Sequence, residues 1–266
     1  MKTEVAILGG GNLGSSLAQG FKQSPEAIDK YHITVTRRNI KLIKHLKGKN
    51  VDVSTDNIAA VEGADIIIFA VQPAQINNLI QEIKPALDSK KHILSSTMAG
   101  VSSADIAELT SPKFAILRIM PNTAAAVNQA MTCIEEIENK EAETEVIKLF
   151  KTIGRTLVVQ SELMEATTVL GACGIAFFLR FIRAASQGGI EVGFHAEEAQ
   201  FIAAQTALGA SALLLDSNNH PEHEIDKVTT PKGCTIAGLN EMEHNGLSSA
   251  LIKGIKTSFE KIDEIG

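Results

Sequence analysis

Tryptophan is absent from this chain of 266 residues, tyrosine occurs once, and aromatic residues amount to 4% of it. So few flat side chains argue against a surface that stacks nucleic-acid bases. A basic surplus is missing as well: 31 acidic residues stand against 25 Lys and Arg, for a net charge of −6. The positive residues gather only in short pairs such as Arg37-Arg38 and Lys90-Lys91, so no nucleic-acid partner is expected. Cysteine is scarce. Cys133, Cys173 and Cys234 are odd in number, far apart and without CxxC spacing, which speaks against disulfides and zinc and for a reducing, cytoplasmic setting. The opening MKTEVAILGGGNLG has an apolar run of only residues 5–8 before glycines interrupt it, too short for a secretory signal. No apolar window of bilayer-spanning length is expected, and hence no membrane partner.

What the first half does contain is a rhythm. Short β-branched runs at 5–8, 33–36, 65–70, 93–96, 115–119 and 156–159 predict strands. Between them, amphipathic stretches at 12–22, 40–47, 75–83, 104–109 and 142–152 predict helices. This alternation implies a mostly parallel sheet with helices on both faces. After about Gln160 strand-like runs give out. Long stretches rich in Ala, Gly and Leu follow at 163–187 and 196–215, then shorter helical segments at 221–228, 235–245 and 248–262. The 196–215 stretch is apolar on much of its circumference, and such a helix must be buried; in so small a domain that means burial against another subunit. Two domains are therefore expected, at 1–160 and 161–266, the second all-helical and dimerising.

Gly9-Gly10-Gly11-Asn12-Leu13-Gly14 follows the first strand directly and opens the first helix. In that context a GxGxxG run is a dinucleotide-binding fingerprint. Gly9 permits the tight turn, Gly11 lets the backbone approach a pyrophosphate, and Gly14 allows close helix–strand packing. Asn12 and Leu13 begin the helix whose free N–H groups and dipole favour phosphate. The fold class is thus α/β: an N-terminal Rossmann dinucleotide-binding domain with an all-α C-terminal dimerisation domain. An NAD enzyme places Asp or Glu at the end of the second strand to hold the ribose 2′-hydroxyl. Here Thr36-Arg37-Arg38-Asn39 stands at that point, with no acid. Two guanidiniums suit a 2′-phosphate, so NADPH is the expected cofactor, with NADH as the alternative.

Further segments carry a resemblance. They are Ala70-Val71-Gln72-Pro73, Met98-Ala99-Gly100-Val101, Arg118-Ile119-Met120-Pro121-Asn122-Thr123, and the run Val228-Thr229-Thr230-Pro231-Lys232-Gly233-Cys234-Thr235-Ile236-Ala237-Gly238-Leu239. In order and spacing, over essentially the whole chain, they resemble the pyrroline-5-carboxylate reductase family. The resemblance implies reduction of the cyclic imine 1-pyrroline-5-carboxylate to L-proline by hydride transfer to the imine carbon. It also implies a helical C-terminal domain that forms homodimers, which in turn assemble into higher oligomers. By resemblance, Ala70, Val71 and Pro73 lie along the cofactor, Met120, Pro121 and Asn122 lie against the nicotinamide, and Asn57 lies near the adenosine ribose. An Asp56-Asn57 turn before a helix accounts for Asn57 nearly as well.

The resemblance further implies that backbone at Gly233, Cys234 and Thr235 holds the substrate carboxylate, with the Thr235 hydroxyl on the ring nitrogen as the catalytic contact. The residues support this chemically, since a loop turning into a helix offers free N–H groups to a carboxylate. Thr235 also suits an ordinary helix N-cap. Lys232 either adds a charge to the carboxylate site or points into solvent.

The chain departs from the family in three places. The family usually reads Ser-Gly-Ser-Gly-Pro-Ala-Tyr where this chain has Gly171-Ala172-Cys173-Gly174-Ile175-Ala176-Phe177, at the start of a helix that by resemblance lines the cleft. Lys232-Gly233 replaces Gly-Gly, and Gln72 replaces Lys. Two alternatives stay open: a related dehydrogenase or imine reductase with another substrate, and a non-catalytic NADP-binding regulator. His220-Pro221-Glu222-His223 reads as an exposed turn and not a metal site.

Overall fold

Residues 5–8 are buried on both sides, and the reason lies in what covers them. The structure, a computed structural model, describes residues 2–262. Its first strand β1 (Thr3–Leu8) sends Val5 and Ile7 into one hydrophobic cluster and Ala6 and Leu8 into another. A strand covered on both faces cannot alternate polar with apolar, hence its unbroken apolar run. The other strands are β2 (Tyr31–Thr36), β3 (Val51–Ser54), β4 (Ile66–Phe69), β5 (Ile93–Ser96), β6 (Ala115–Met120), β7 (Ala130–Glu135) and β8 (Gly154–Val159). They form one sheet in the order β3-β2-β1-β4-β5-β6-β7-β8. All neighbours are parallel except β6 and β7, which run antiparallel. The order reverses between β1 and β4, and in open α/β sheets ligands bind at that switch point, off the carboxyl ends of the strands.

One cluster is filled by α1 (Asn12–Gln23) and, later in the chain, by residues 140–151. Phe21 and Phe150 meet edge to face there, ring centroids 6.1 Å apart and planes at 71°. Beyond its area burial such a pair contributes about 1 kcal/mol. A short α2 (Pro25–Lys30) starts with Pro25 under a Ser24 cap. The opposite cluster is filled by α3 (Asn57–Gly63), α4 (Ile76–Ile83) and α5 (Ser103–Leu109). The covering helix at 140–151 is α6 (Lys140–Lys151).

The helix expected at 40–47 is not there. Two 3₁₀ turns, Ile40–Leu42 and Lys44–Leu46, take its place. Ile43 and Leu46 are fully buried with Ile40 packed against the same core, a spacing of three that fits a 3₁₀ turn better than an α-helix. Strands β3 and β7 and helices α2 and α3 go beyond the sequence reading. β3 is a short edge strand, and β7 mixes Thr and Cys into its apolar residues, so neither stands out as a run.

From Ser161 onward the chain is helical: a 3₁₀ turn Ser161–Leu163, α7 (Met164–Thr167), a π turn Thr168–Cys173 and α8 (Gly174–Glu191). This run corrects one expectation. Ser161–Glu191 is a helix long and apolar enough to cross a membrane by length and composition. Its Ala, Gly and Thr residues interrupt a strictly apolar window yet cost little to transfer, so the run does not stand out as an unbroken apolar stretch. Length and composition of this kind are shared by helices that bury a face against protein.

Two units divide the chain. One holds residues up to Ile175 with the closing segment from Ser258; the other is Ala176–Thr257. The division falls beyond the change of texture at Gln160 because Met164 and Ala172 pack with Met120 and Cys133 of the sheet. The second unit contains α9 (Ala196–Ser217), α10 (Pro221–Val228) and α11 (Cys234–His244), and most of α12 (Leu247–Ile262). Within α9 only Ala199 is buried, while Phe201, Ile202, Leu208, Leu213 and Leu215 are exposed.

Candidate functional site

The glycine loop leaves β1 with Gly9 at φ +115, where a side chain would be strained and would collide with the Ala70 carbonyl. Gly14 sits against Gly9, so a methyl there would overlap the Gly9 carbonyl oxygen. At Gly11 nothing lies within 4 Å of an added Cβ. That open space adjoins the start of α1, whose N-cap is Gly11 and whose first turn has neither a side-chain cap nor an acid. The leading N–H groups of a helix lack partners within it. Positive dipole, free donors and open space together fit a pyrophosphate. Gly9, Gly11, Asn12, Leu13 and Gly14 therefore form one cradle.

The end of β2 closes over it. The Thr36 carbonyl accepts from Gly9 N–H at 3.3 Å and from Gly10 N–H at 2.7 Å. Arg37 turns back on the loop, its Nη1 donating to the Gly10 carbonyl at 2.6 Å. Arg38 is exposed, and among the described residues nothing pairs with its guanidinium. The two arginines thus have different work: one locks the loop, the other is free for an anion. The Thr36 hydroxyl donates to Asn57 Oδ1 at 2.6 Å, and Asn57 Nδ2 donates to Glu82 at 3.1 Å. Asp56, not Asn57, caps α3 by accepting from Ala59 N–H. Ala70, Val71 and Pro73 follow β4 along the same edge of the sheet, with Pro73 opening a 3₁₀ turn.

At the end of β6 the side chains follow strand parity. Arg118, Met120 and Asn122 share one side and meet the helical run after Ser161. Arg118 is 6% exposed and donates to Glu165 at 2.7 Å and to the Ser161 carbonyl at 2.7 Å and hydroxyl at 3.1 Å. Its Nε lies 3.5 Å from Glu135, a residue that also accepts from the Arg118 backbone N–H and from the Ser161 hydroxyl. A buried charge needs such a shell. Met120 packs on Met164 and Cys133. Asn122 Nδ2 donates to the Gly171 carbonyl at 3.1 Å, and its Oδ1 accepts from Ala124 N–H at 3.2 Å. Burial pushes the thiols of Cys133 and Cys173 above their ordinary range, so both are held as neutral thiols. Glu135, Ser161 and Glu165 were not singled out by sequence reasoning. The available signal was Arg118 itself, a charge in the middle of an apolar strand.

Lys232, Gly233, Cys234 and Thr235 lie in the other unit. Gly233 N–H donates to the Thr230 carbonyl at 2.9 Å across Pro231 and Lys232, and Lys232 has φ +59. Proline followed by a left-handed residue is the pattern of a type II turn, whose third position favours glycine. Gly233 is then the N-cap of α11, with no side-chain cap bond. Thr235 is inside the first helical turn, so it is not the N-cap, and among the described residues its hydroxyl has no partner. His220 caps α10 by accepting from Glu222 N–H at 3.3 Å, with Pro221 at the first helical position.

Comparison with known proteins gives one family match in each half of the chain. Residues 4–100 match the family model "NADP oxidoreductase coenzyme F420-dependent", and residues 161–265 match "Pyrroline-5-carboxylate reductase dimerisation". Pyrroline-5-carboxylate reductase 1 of Dictyostelium discoideum is 47% identical over 97% of this chain, which spans 49% of that relative's length. Pyrroline-5-carboxylate reductase 2 of the same organism is 43% identical, covering 97% of this chain and 91% of its own. The crystal structure of Plasmodium falciparum pyrroline carboxylate reductase with NADP bound superimposes with a TM-score of 0.87 at 21% identity, over 99% of this chain and 98% of that one. The chain belongs to the pyrroline-5-carboxylate reductase family.

Proposed function

We propose that this chain reduces 1-pyrroline-5-carboxylate to L-proline with NADPH. The observation that carries the reading is a pair of open helix N-termini, at Gly11 and at Gly233, each without side-chain cap or nearby acid. One suits a pyrophosphate and the other a carboxylate. They are the two anionic groups that this reaction must hold.

When bound, the reduced nicotinamide supplies the hydride. The imine nitrogen is basic enough to be protonated near neutral pH, so the chain needs no strong general acid at its place. Its work is to orient the iminium carbon and hold the carboxylate. Of the three backbone groups expected at the carboxylate, the Gly233 N–H is taken by the Thr230 carbonyl at 2.9 Å. Those of Cys234 and Thr235 therefore serve the carboxylate, and the Thr235 hydroxyl, without a partner among the described residues, serves the ring nitrogen. The carbon–nitrogen double bond takes up the hydride at carbon, the proton already on nitrogen stays there, and proline leaves. Cofactor choice follows from Arg38, whose free guanidinium suits a 2′-phosphate. The family match at 4–100 and the NADP of the Plasmodium relative support NADPH, with NADH the weaker donor.

A homodimer built on the second unit is part of the proposal. The family match over 161–265 supports it, as do the uncovered apolar residues of α9. Assembly of dimers into larger oligomers and a cytoplasmic setting, in keeping with three free thiols, complete it. A spectrophotometric assay with NADPH and pyrroline-5-carboxylate tests the reading. Saturable NADPH oxidation with stoichiometric proline is expected, and Thr235→Val should lower turnover at least about tenfold with NADPH affinity retained. Tight NADPH binding without turnover would instead identify a regulator.

A further inference from the structure

Three residues of one strand end, Arg118, Met120 and Asn122, all direct their side chains to the helical run that follows Ser161. Arg118 takes Ser161 and Glu165, Met120 takes Met164, and Asn122 takes Gly171. The last of these lies in the π turn Thr168–Cys173. A π turn shifts the backbone pairing by one residue, is rare, and occurs mostly where a helix is adapted to a functional site. It is also where this chain carries Gly171-Ala172-Cys173 in place of the family's Ser-Gly-Ser. Both polar ends of the Asn122 amide are in use within the protein, one on Gly171 and one on Ala124. Asn122 is 6% exposed and Met120 5%, so both side chains are enclosed, and each end of the Asn122 amide is already held by the protein.

We propose that Arg118, Met120 and Asn122 form a strap that fixes the π turn against the carboxyl end of β6, and that Asn122 is a positioning residue and not a direct cofactor contact. The inference rests on the reductase reading for its kinetic consequence, though not for its structural one. Arg118 pins the first turn of the run, while the Asn122 amide pins it again at Gly171. Between the two pins the backbone after Met120, at Pro121, and the turn at 168–173 keep a set separation. Loss of the Gly171 bond frees the turn without touching the glycine loop that holds the pyrophosphate. Displacement of about 1 Å at a reacting centre costs up to about a hundredfold in rate.

Asn122→Asp keeps an acceptor for the Ala124 N–H and replaces the donor to Gly171 by an acceptor, while Asn122→Ser keeps an acceptor and has only a shorter side chain whose hydroxyl falls short of Gly171. The expected result is a fall in kcat with pyrroline-5-carboxylate of about tenfold or more, with the Kd of NADPH changed by less than about twofold. Amide hydrogen exchange at 168–173 should accelerate by about tenfold while exchange at 9–14 stays as in the wild type. Arg118→Lys, which keeps the charge but cannot reach Ser161 and Glu165 together, should reproduce the exchange effect if the Asn122 variants fail to fold. NADPH affinity falling in step with kcat would make Asn122 a cofactor contact and overturn the proposal. Unchanged exchange at 168–173 would overturn it too. A wild-type enzyme inert towards pyrroline-5-carboxylate would refute the reductase reading and leave exchange alone to judge the strap.

Discussion

Arg37 and Arg38 are neighbours of the same type, yet the structure gives them opposite tasks. Arg37 donates to the Gly10 carbonyl and so belongs to the loop. Arg38 is exposed and unpartnered among the described residues. Arg38→Ala should therefore weaken NADPH binding by about tenfold or more, the size of one charge-assisted hydrogen bond, and leave NADH binding unchanged. Arg37→Ala should weaken both cofactors, because it loosens a cradle they share. Fluorescence titration with each cofactor reads the difference, and equal losses for Arg38→Ala would remove it from the 2′-phosphate site. The need for a basic pair was legible in the sequence from the missing acid after β2. The division of labour was not, since it depends on where one guanidinium turns. Arg118 shows the same limit: its partners Glu135, Ser161 and Glu165 come from distant parts of the chain, and no local spacing announces them.

Elements were legible where one period dominated. The apolar runs of β1 and β4 stand out because both faces of each strand are covered. Residues 40–46 misled because Ile40, Ile43 and Leu46 fit a helical stripe as well as the 3₁₀ turns they actually form. The π turn gives no sequence signal at all, being a property of how the run meets the sheet. A polar residue inside one such connection has a consequence for stability. His92, just before β5, is 3% exposed; its Nδ1 accepts from Asp88 N–H at 3.1 Å, and its Nε2 is buried without a partner among the described residues. Burial, with Lys91 alongside, holds its pKa below the ordinary 6.5. The folded state thus refuses a proton that the unfolded state accepts. The resulting stability is complete above pH 6.5 and is lost as pH falls below that value towards the folded-state pKa. Denaturant unfolding should show wild type losing stability relative to His92→Gln below this point, at up to about 1.4 kcal/mol per pH unit. A difference that stays constant with pH would contradict the assignment.

At the scale of the whole molecule the sequence already separated a dinucleotide-binding half from a helical half, because the change in texture near Gln160 reflects different packing. The compact unit nevertheless extends to Ile175, since Met164 and Ala172 pack on sheet residues. Each half contributes one open helix N-terminus, at Gly11 before α1 and at Gly233 before α11, and the proposed function assigns the first to a pyrophosphate and the second to a carboxylate. The proposed function requires that a hydride pass from the nicotinamide to the imine carbon of a carboxylate-bearing ring. The most direct test is to supply NADPH carrying deuterium at both nicotinamide C4 positions together with pyrroline-5-carboxylate and to locate the label in the product. Proline carrying a single deuterium at the ring carbon beside nitrogen that was the imine carbon is expected. Unlabelled proline, or oxidation of NADPH without proline, would contradict it.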